Sequence, residues 1–332
     1  MSLSIRPSIM ILQRIARKIT TPLIYSRALF ETACQKSIFV FNYHEISDQA
    51  SKFSYDFGLN VSPTLFREQL SWIKKYFQVI SPNQLINKEF DLPVALITFD
   101  DGFASTFQEG ALILRDEVLP ATVFVNMAPV EGQVFWSGLV IYLCSHYPEF
   151  KKYLSNKYRK IRENLFLYCT VDDVNKFVLN NHCNDIYVQA RIYYGKFASH
   201  DDLLSSAELG LYLGNHLYNH YNSVNISLDE LKTQYLTNER ALLNYDNYVS
   251  FFSYPFGQPE SCYNNQTDEL IFSLGASRIF TAFSLPNKNP EATRLHRISM
   301  NSSIDDEISF KYNCIVLPFY NSCFRRHKFS YV

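Results

Sequence analysis

Val94-Ala95-Leu96-Ile97-Thr98-Phe99-Asp100-Asp101-Gly102 is an apolar, strand-like run that stops on two adjacent carboxylates and a glycine. A second stretch is built the same way. Leu211-Tyr212-Leu213-Gly214-Asn215 is an apolar run closing on a turn, and His216-Leu217-Tyr218-Asn219-His220 follows it with two imidazoles four residues apart. In a barrel or a wound α/β sheet the ends of such strands converge on one face, where sites are built. One Asp with two His is the ligand set of a divalent transition metal with open coordination positions. The second Asp is left to act as a base, which completes the equipment of a metal-assisted hydrolase. Each half also has a plainer reading, since Asp-Asp-Gly closes strands as a polar turn and His pairs at i, i+4 sit on helix faces. Together, on two separate strands, they are more specific.

The chain around these motifs alternates between two periods. Ser37-Ile38-Phe39-Val40-Phe41-Asn42-Tyr43-His44 reads as a buried first strand ending in polar residues. Ser62 as N-cap and Pro63 at the first helical position open a helix with Phe66, Leu70, Ile73 and Phe77 on one face. Ser81-Pro82 opens a shorter helix, and Ala121-Thr122-Val123-Phe124-Val125-Asn126 gives another strand. Farther on, Ser227-Leu228-Asp229-Glu230 predicts a capping box before a helix with Leu228, Leu231, Tyr235 and Leu242 on its apolar side. The strands Val249-Ser250-Phe251-Phe252, Arg278-Ile279-Phe280-Thr281-Ala282 and Arg297-Ile298-Ser299-Met300 follow. Alternation of strand and helix implies a parallel sheet. The expected fold is α/β, a distorted (β/α)7-type barrel spanning residues 37–305. Between about 131 and 208 the strand signal disappears and Lys and Arg cluster at 151–152 and 157–160. This predicts a helical insertion, either a lid or wall over the site, a partner-binding element, or a decoration.

Composition bounds the function. The chain has 332 residues, a formal net charge of −1 and 16% aromatic residues. The near-neutral balance argues against nucleic acid as a partner. The aromatic excess suits a packed core or rings lining a sugar groove. Seven cysteines without paired spacing fit reduced thiols in a cytoplasmic compartment and give no structural zinc motif. Residues 1–36 carry Arg6, Arg14, Arg17, Lys18 and Arg27 among apolar residues, with no span of signal-peptide or transmembrane length. That segment reads either as an interfacial helix making peripheral contact with anionic lipid at the inner face of the membrane, or as a helix packed on the domain. Residues 306–332 read as a C-terminal tail, of which 315–332, with Arg325-Arg326-His327-Lys328, are a loose basic end.

Thr98-Phe99-Asp100-Asp101-Gly102 resembles the first motif of the polysaccharide deacetylases, carbohydrate esterases that share the nodulation-protein deacetylase domain, and Gly214-Asn215-His216-Leu217-Tyr218-Asn219-His220 resembles their second. Phe252-Ser253-Tyr254-Pro255-Phe256-Gly257 is similar to the third-motif variant of the branch that acts on extracellular or envelope polymers. The resemblance implies a metal-dependent de-N-acetylase whose substrate is an N-acetylated carbohydrate. By the same resemblance, Asp101, His216 and His220 hold a divalent metal, Zn2+ foremost with Co2+, Ni2+, Fe2+ or Mn2+ as alternatives. Asp100 is the general base, and the backbone N–H of Phe256 completes the oxyanion hole. The family keeps a late His as general acid; His296 is the first choice here, although Leu295-His296 lacks the usual spacer. His44, at the end of the first strand, is the second. Two further departures stand out: Leu217 replaces a hydroxyl residue, and the third motif lacks the Arg that orients the catalytic Asp in many members.

The sequence thus points to de-N-acetylation of a carbohydrate in making a surface glycan or its lipid-linked precursor. Two rivals are a metal hydrolase of the same fold acting on a non-sugar amide or ester, and a catalytically silent carbohydrate-binding or scaffold protein. Retention of Asp100, Asp101, His216 and His220 together argues against silence.

Overall fold

The computed structural model describes residues 21–159, 164–181 and 185–320. Eight parallel strands follow one another around a nearly closed barrel: β1 (Ile38–Tyr43), β2 (Val94–Phe99), β3 (Ala121–Val125), β4 (Leu211–Asn215), β5 (Tyr248–Ser253), β6 (Arg278–Thr281), β7 (Arg294–His296) and β8 (Ile298–Ser299). β7 and β8 are two halves of one run. The first half pairs with β6 and the second with β1, and Arg297 alone separates them. This divided strand closes the circle, which accounts for a distorted barrel of the (β/α)7 type. β1 and β2 pair in full register, from Ile38 opposite Val94 to Tyr43 opposite Phe99.

Strand alternation sorts the side chains into an interior and an exterior set. Ile38, Val40, Val94, Leu96, Phe124, Phe251, Phe280 and Leu295 fill the lower interior as one buried apolar cluster. Gly214 is required there, because a Cβ would lie 2.6 Å from the Phe124 ring. One step farther along the strands the interior turns polar, with Asn42, Thr98, Asp100, Ser253 and Arg297 all buried. The apolar floor and polar upper layer put the chemistry at the C-terminal ends of the strands.

The outer faces of the strands pack on helices. Among those that matter here are α1 (Arg27–Cys34), α2 (Pro63–Tyr76), α3 (Trp136–His146), α4 (Pro148–Lys157), α5 (Val171–Asn181), α6 (Ile186–Tyr194), α7 (Leu228–Leu242) and α8 (Asn265–Ser273). α2 starts as its sequence predicts, with Ser62 Oγ accepting from Leu65 N–H, and buries Phe66, Leu70 and Ile73. Ser227 caps α7, but Leu228 is exposed, and Glu230 accepts from Gln234 instead of closing a reciprocal capping box. The expected insertion is helical. α3 to α6 lie between β3 and β4 and build their own core, with Leu139, Leu143, Phe150, Leu154 and Tyr194 packed with Phe53 and Phe103 of the barrel segments.

Both chain ends contribute to the main core where they are described. The basic residues before Thr21 lie outside the described residues; α1 packs one side on the domain and leaves Leu29 exposed on the other. Phe30 is buried, with its ring 4.7 Å from that of Tyr76. Among the described residues no helix is long and apolar enough to cross a membrane. Asp306 caps a helical segment whose Phe310 and Cys314 join the main core, with Phe310 5.5 Å from Phe41. The cluster Arg325-Arg326-His327-Lys328 lies outside the described residues.

Candidate active site

Asp100 extends β2 by one inward step, its N–H bonded to Tyr43 O at 3.0 Å. Successive strand residues point to opposite faces, so Asp101 reaches the same space only because the backbone turns. It turns on Asp101 itself, at φ +73°, and on Gly102 at φ +83°. Asp tolerates the left-handed region better than most residues, and Gly takes it freely.

His216 and His220 are carried not by a helix but by the loop that leaves β4, with Leu217 and His220 both at positive φ. Buried amides hold this loop. Asn126 Nδ2 donates to the carbonyls of His216 and Leu217, and Asn215 Oδ1 accepts from Leu217 N–H at 3.0 Å and from Asn238 Nδ2 at 2.9 Å. Leu217 is fully buried among Leu231, Tyr235 and Phe252, so the position taken from a hydroxyl residue anchors the loop by packing. His216 Nδ1 lies 2.7 Å from Ser253 O. A carbonyl only accepts, so Nδ1 carries the proton and Nε2 keeps its lone pair.

The result is a convergence of Asp101, His216 and His220, whose ligand atoms lie within 4.8 Å of one another, all three buried. His220 Nε2 is 3.1 Å and His216 Nε2 3.5 Å from Asp101 Oδ1, yet that oxygen accepts no hydrogen bond among the described residues. Burial works against the Asp101 charge, but His220 and His216 more than offset it and hold the carboxyl well below its ordinary range. Burial also pushes the His220 pKa down, against the pull of Asp101, which favours the neutral, ligating imidazole. An orphaned carboxylate oxygen facing two imidazole nitrogens fits a divalent cation.

Beside this group, Asp100 is gripped by a residue that the motifs do not contain. Arg297, fully buried, donates from Nη1 to Oδ1 and from Nη2 to Oδ2, each at 2.7 Å, and from Nη2 to Ser253 Oγ at 2.8 Å. Asn42 Nδ2 adds a third bond to Oδ2 at 3.1 Å. Burial is the largest influence and raises the Asp100 pKa, but Arg297, His216 and His44 together outweigh it and hold the carboxyl below its ordinary range. The guanidinium missing from the third motif is thus supplied by the closing strand, with Ser253 of that motif as its acceptor.

The two candidate acids separate. His44 continues the inward series Ile38, Val40, Asn42 and lines the cavity together with Asp100, Asp101, His216 and His220. Its pKa is lowered by burial and pulled back up by Asp101 and Asp100. His296 is not among the residues lining that cavity. In the closing strand Leu295, Arg297 and Ser299 face inward, so alternation turns His296 outward, where Nδ1 meets Thr281 Oγ1 at 2.9 Å and the ring lies 5.8 Å from Phe283. Burial lowers its pKa to about 4.

Phe256 lines the cavity at φ +62°, its ring 4.9 Å from that of His220. Gly257 follows at φ +60° against Ala282, whose N would be 2.6 Å from a Cβ there. The third motif therefore needs its glycine for close approach. The cavity, of about 290 Å³, is otherwise walled by Phe53, Phe57 and Leu59 after β1 and by Ser137, Ile141, Phe166 and Leu167 of the insertion.

This chain resembles known proteins in sequence and in fold. The family profile described as Polysaccharide deacetylase matches residues 87–279. Among solved structures, the deacetylase PplD of Streptococcus pyogenes, in complex with acetate, aligns with 83% of this chain and 98% of its own at 17% identity and a TM-score of 0.56. IcaB from Ammonifex degensii aligns with 84% of this chain and 98% of its own at 16% identity and a TM-score of 0.54. A de-N-acetylase from Aggregatibacter actinomycetemcomitans aligns with 78% of this chain and 93% of its own at 14% identity and a TM-score of 0.53. At these identities the likeness shows the fold. No curated protein matches the chain significantly. With the profile covering more than half of its length, including both the Asp-Asp and His-His motifs, the chain belongs to the polysaccharide deacetylase family.

Proposed function

We propose that this protein removes N-acetyl groups from a carbohydrate, at a cytoplasmic step in building a surface glycan or its lipid-linked precursor, within the branch that acts on envelope polymers. One observation carries the reading: three ligand atoms of Asp101, His216 and His220 meet beside a carboxylate, Asp100, that a buried arginine keeps ionised. Asp101, His216 and His220 would hold a divalent metal, Zn2+ foremost given the mixed nitrogen and oxygen donors. Such an ion supplies Lewis-acid polarisation of the amide carbonyl and acidifies a water.

The remaining steps belong to the chain. Asp100, fixed by Arg297 and Asn42, takes the proton of the attacking water. The Phe256 N–H, on a loop held by Gly257 against Ala282, donates to the developing oxyanion. The departing amine needs a proton, and His44 is the histidine beside the two carboxylates that is free of the metal set. Phe53, Phe57, Phe166 and Phe256 limit water around the reacting amide and offer faces to a sugar ring. The test is acetate release by metal-loaded protein from a panel of N-acetylated glycans, nucleotide sugars and lipid-linked sugars. Release that stops in Asp100→Asn protein with the metal still bound supports the reading. No release from any member of the panel by correctly folded, metal-loaded protein refutes it.

A further inference from the structure

The mouth of the barrel is not an open trough. Phe57 belongs to the segment after β1, Phe166 to the 3-10 helix Leu165–Tyr168 of the insertion after β3, and Phe256 to the loop after β5. Their rings touch in series, at 6.0 Å between Phe57 and Phe166 and 6.0 Å between Phe166 and Phe256, ending 4.9 Å from His220. β1, β3 and β5 stand apart around the barrel, so this arc runs from one side of the mouth to the other.

The arc is anchored. Leu167 O accepts from Asn222 Nδ2 at 2.7 Å and from Asn225 Nδ2, which ties the insertion to the loop just after His220. Behind it the buried Asp173 carboxylate takes bonds from Tyr153, Lys157, Tyr158 and Thr170 and fixes α4 against α5.

A polymer threaded past the site needs an entrance and an exit, and the aromatic arc blocks one of them. At about 290 Å³ the cavity falls at the foot of the ~300–1,000 Å³ range of ordinary ligand pockets, enough for one sugar. Ser137, in the first turn of α3, is 2% exposed, and its Oγ has no partner among the described residues. A buried polar atom without a protein partner in a ligand-sized cavity is available to hydrogen-bond a ligand there.

We infer that the substrate is a single N-acetylated sugar at a chain end or on a small carrier, not an internal unit of a polymer, and that Ser137 is a specificity residue that hydrogen-bonds it. This rests on the de-N-acetylase reading. The test gives metal-loaded full-length protein N-acetylhexosamine oligosaccharides of graded length and a nucleotide-linked N-acetylhexosamine, with mass spectrometry to locate the free amine. The expected product carries one free amine per chain, on a terminal ring. Phe166→Ala should open the arc and add internal deacetylation. Ser137→Ala should raise KM about tenfold with kcat moved far less, the loss of one uniform binding contact. Internal deacetylation by the parent protein overturns the inference while leaving the enzyme a de-N-acetylase, and an unchanged KM in Ser137→Ala removes that residue from recognition. No acetate from any probe sinks the underlying reading and the inference with it.

Discussion

Arg297 and Asp100 face each other through two parallel hydrogen bonds of 2.7 Å, both residues buried at the centre of the barrel. The guanidinium also lies 5.4 Å from the Phe124 ring, so it rests on the apolar floor while it holds Asp100 above. A buried charge is tolerated only with its partner. Arg297→Met should therefore destabilise the fold by about 3–5 kcal/mol, the range for breaking a buried ion pair from one side. The milder Arg297→Lys keeps the charge but loses the fork. Asp100 must be ionised to accept a proton, and Arg297 is the first of the groups that lower its pKa against burial, so the acid limb of kcat/KM should move to higher pH in Arg297→Lys. An acid limb that stays in place would reduce Arg297 to a purely structural residue.

Asp100→Asn separates base from ligand. The amide keeps the size of the side chain but cannot take a proton, so kcat should fall by about 10²–10⁴-fold. Metal content, measured by elemental analysis on the same sample, should be unchanged, because the proposed ligands are Asp101, His216 and His220. Full turnover in this variant would place the base elsewhere, and loss of metal would mean the two aspartates have been assigned in the wrong order.

Metal binding itself should fail residue by residue. His216→Ala and His220→Ala each remove one of three convergent donors and should weaken Zn2+ binding by at least about ten- to hundredfold, judged by the cost of perturbing metal shells. Competition against a chromogenic chelator reads this directly. Parent-like affinity in both variants would show that the ion binds elsewhere.

Residues near the motifs were legible because local chemistry marks them: a strand that stops on Asp-Asp-Gly and a loop with two His announce themselves in one dimension. Arg297 and Asn42 did not, since their partner Asp100 is 197 and 58 positions away. Both lie outside residues 87–279, which carry the family profile. A period-2 count along Leu295-His296-Arg297-Ile298-Ser299 could have found Arg297, because an inward Leu295 forces an inward Arg297 and an outward His296. The split of this strand between β6 and β1 hid that count. The insertion's helices were foreseen from the missing strand signal. Its contribution of Ser137 and Phe166 to the cavity depends on packing between segments that no local pattern reports.

His44 and His296 should differ in their pH–rate profiles. A general acid must hold its proton, so rate falls as pH rises through its pKa and its removal abolishes or moves the alkaline limb. His44→Gln should change that limb and cut kcat, whereas His296→Gln should leave the profile's shape intact. The opposite pattern would return the acid role to His296 and require the closing strand to present its other face to the site.

His296 should instead appear in the pH dependence of stability. Its folded-state pKa is about 4 and its ordinary value 6.5, so between these limits the unfolded chain binds more protons than the native one. Stability from this residue is therefore fully present above about pH 6.5 and drains away as pH falls toward 4, with a slope of up to about 1.4 kcal/mol per pH unit. His44 and His220 are also lowered by burial and add to the same trend, so the contribution of His296 must be read as a difference. Urea unfolding at pH 7 and pH 4.5 should show the parent losing on the order of 1–3 kcal/mol more than His296→Gln across this interval. Glutamine retains a group able to meet Thr281 Oγ1 but does not titrate. Equal losses in the two proteins would mean that His296 carries no net titration linkage and that its burial between Thr281 and Phe283 has been misread.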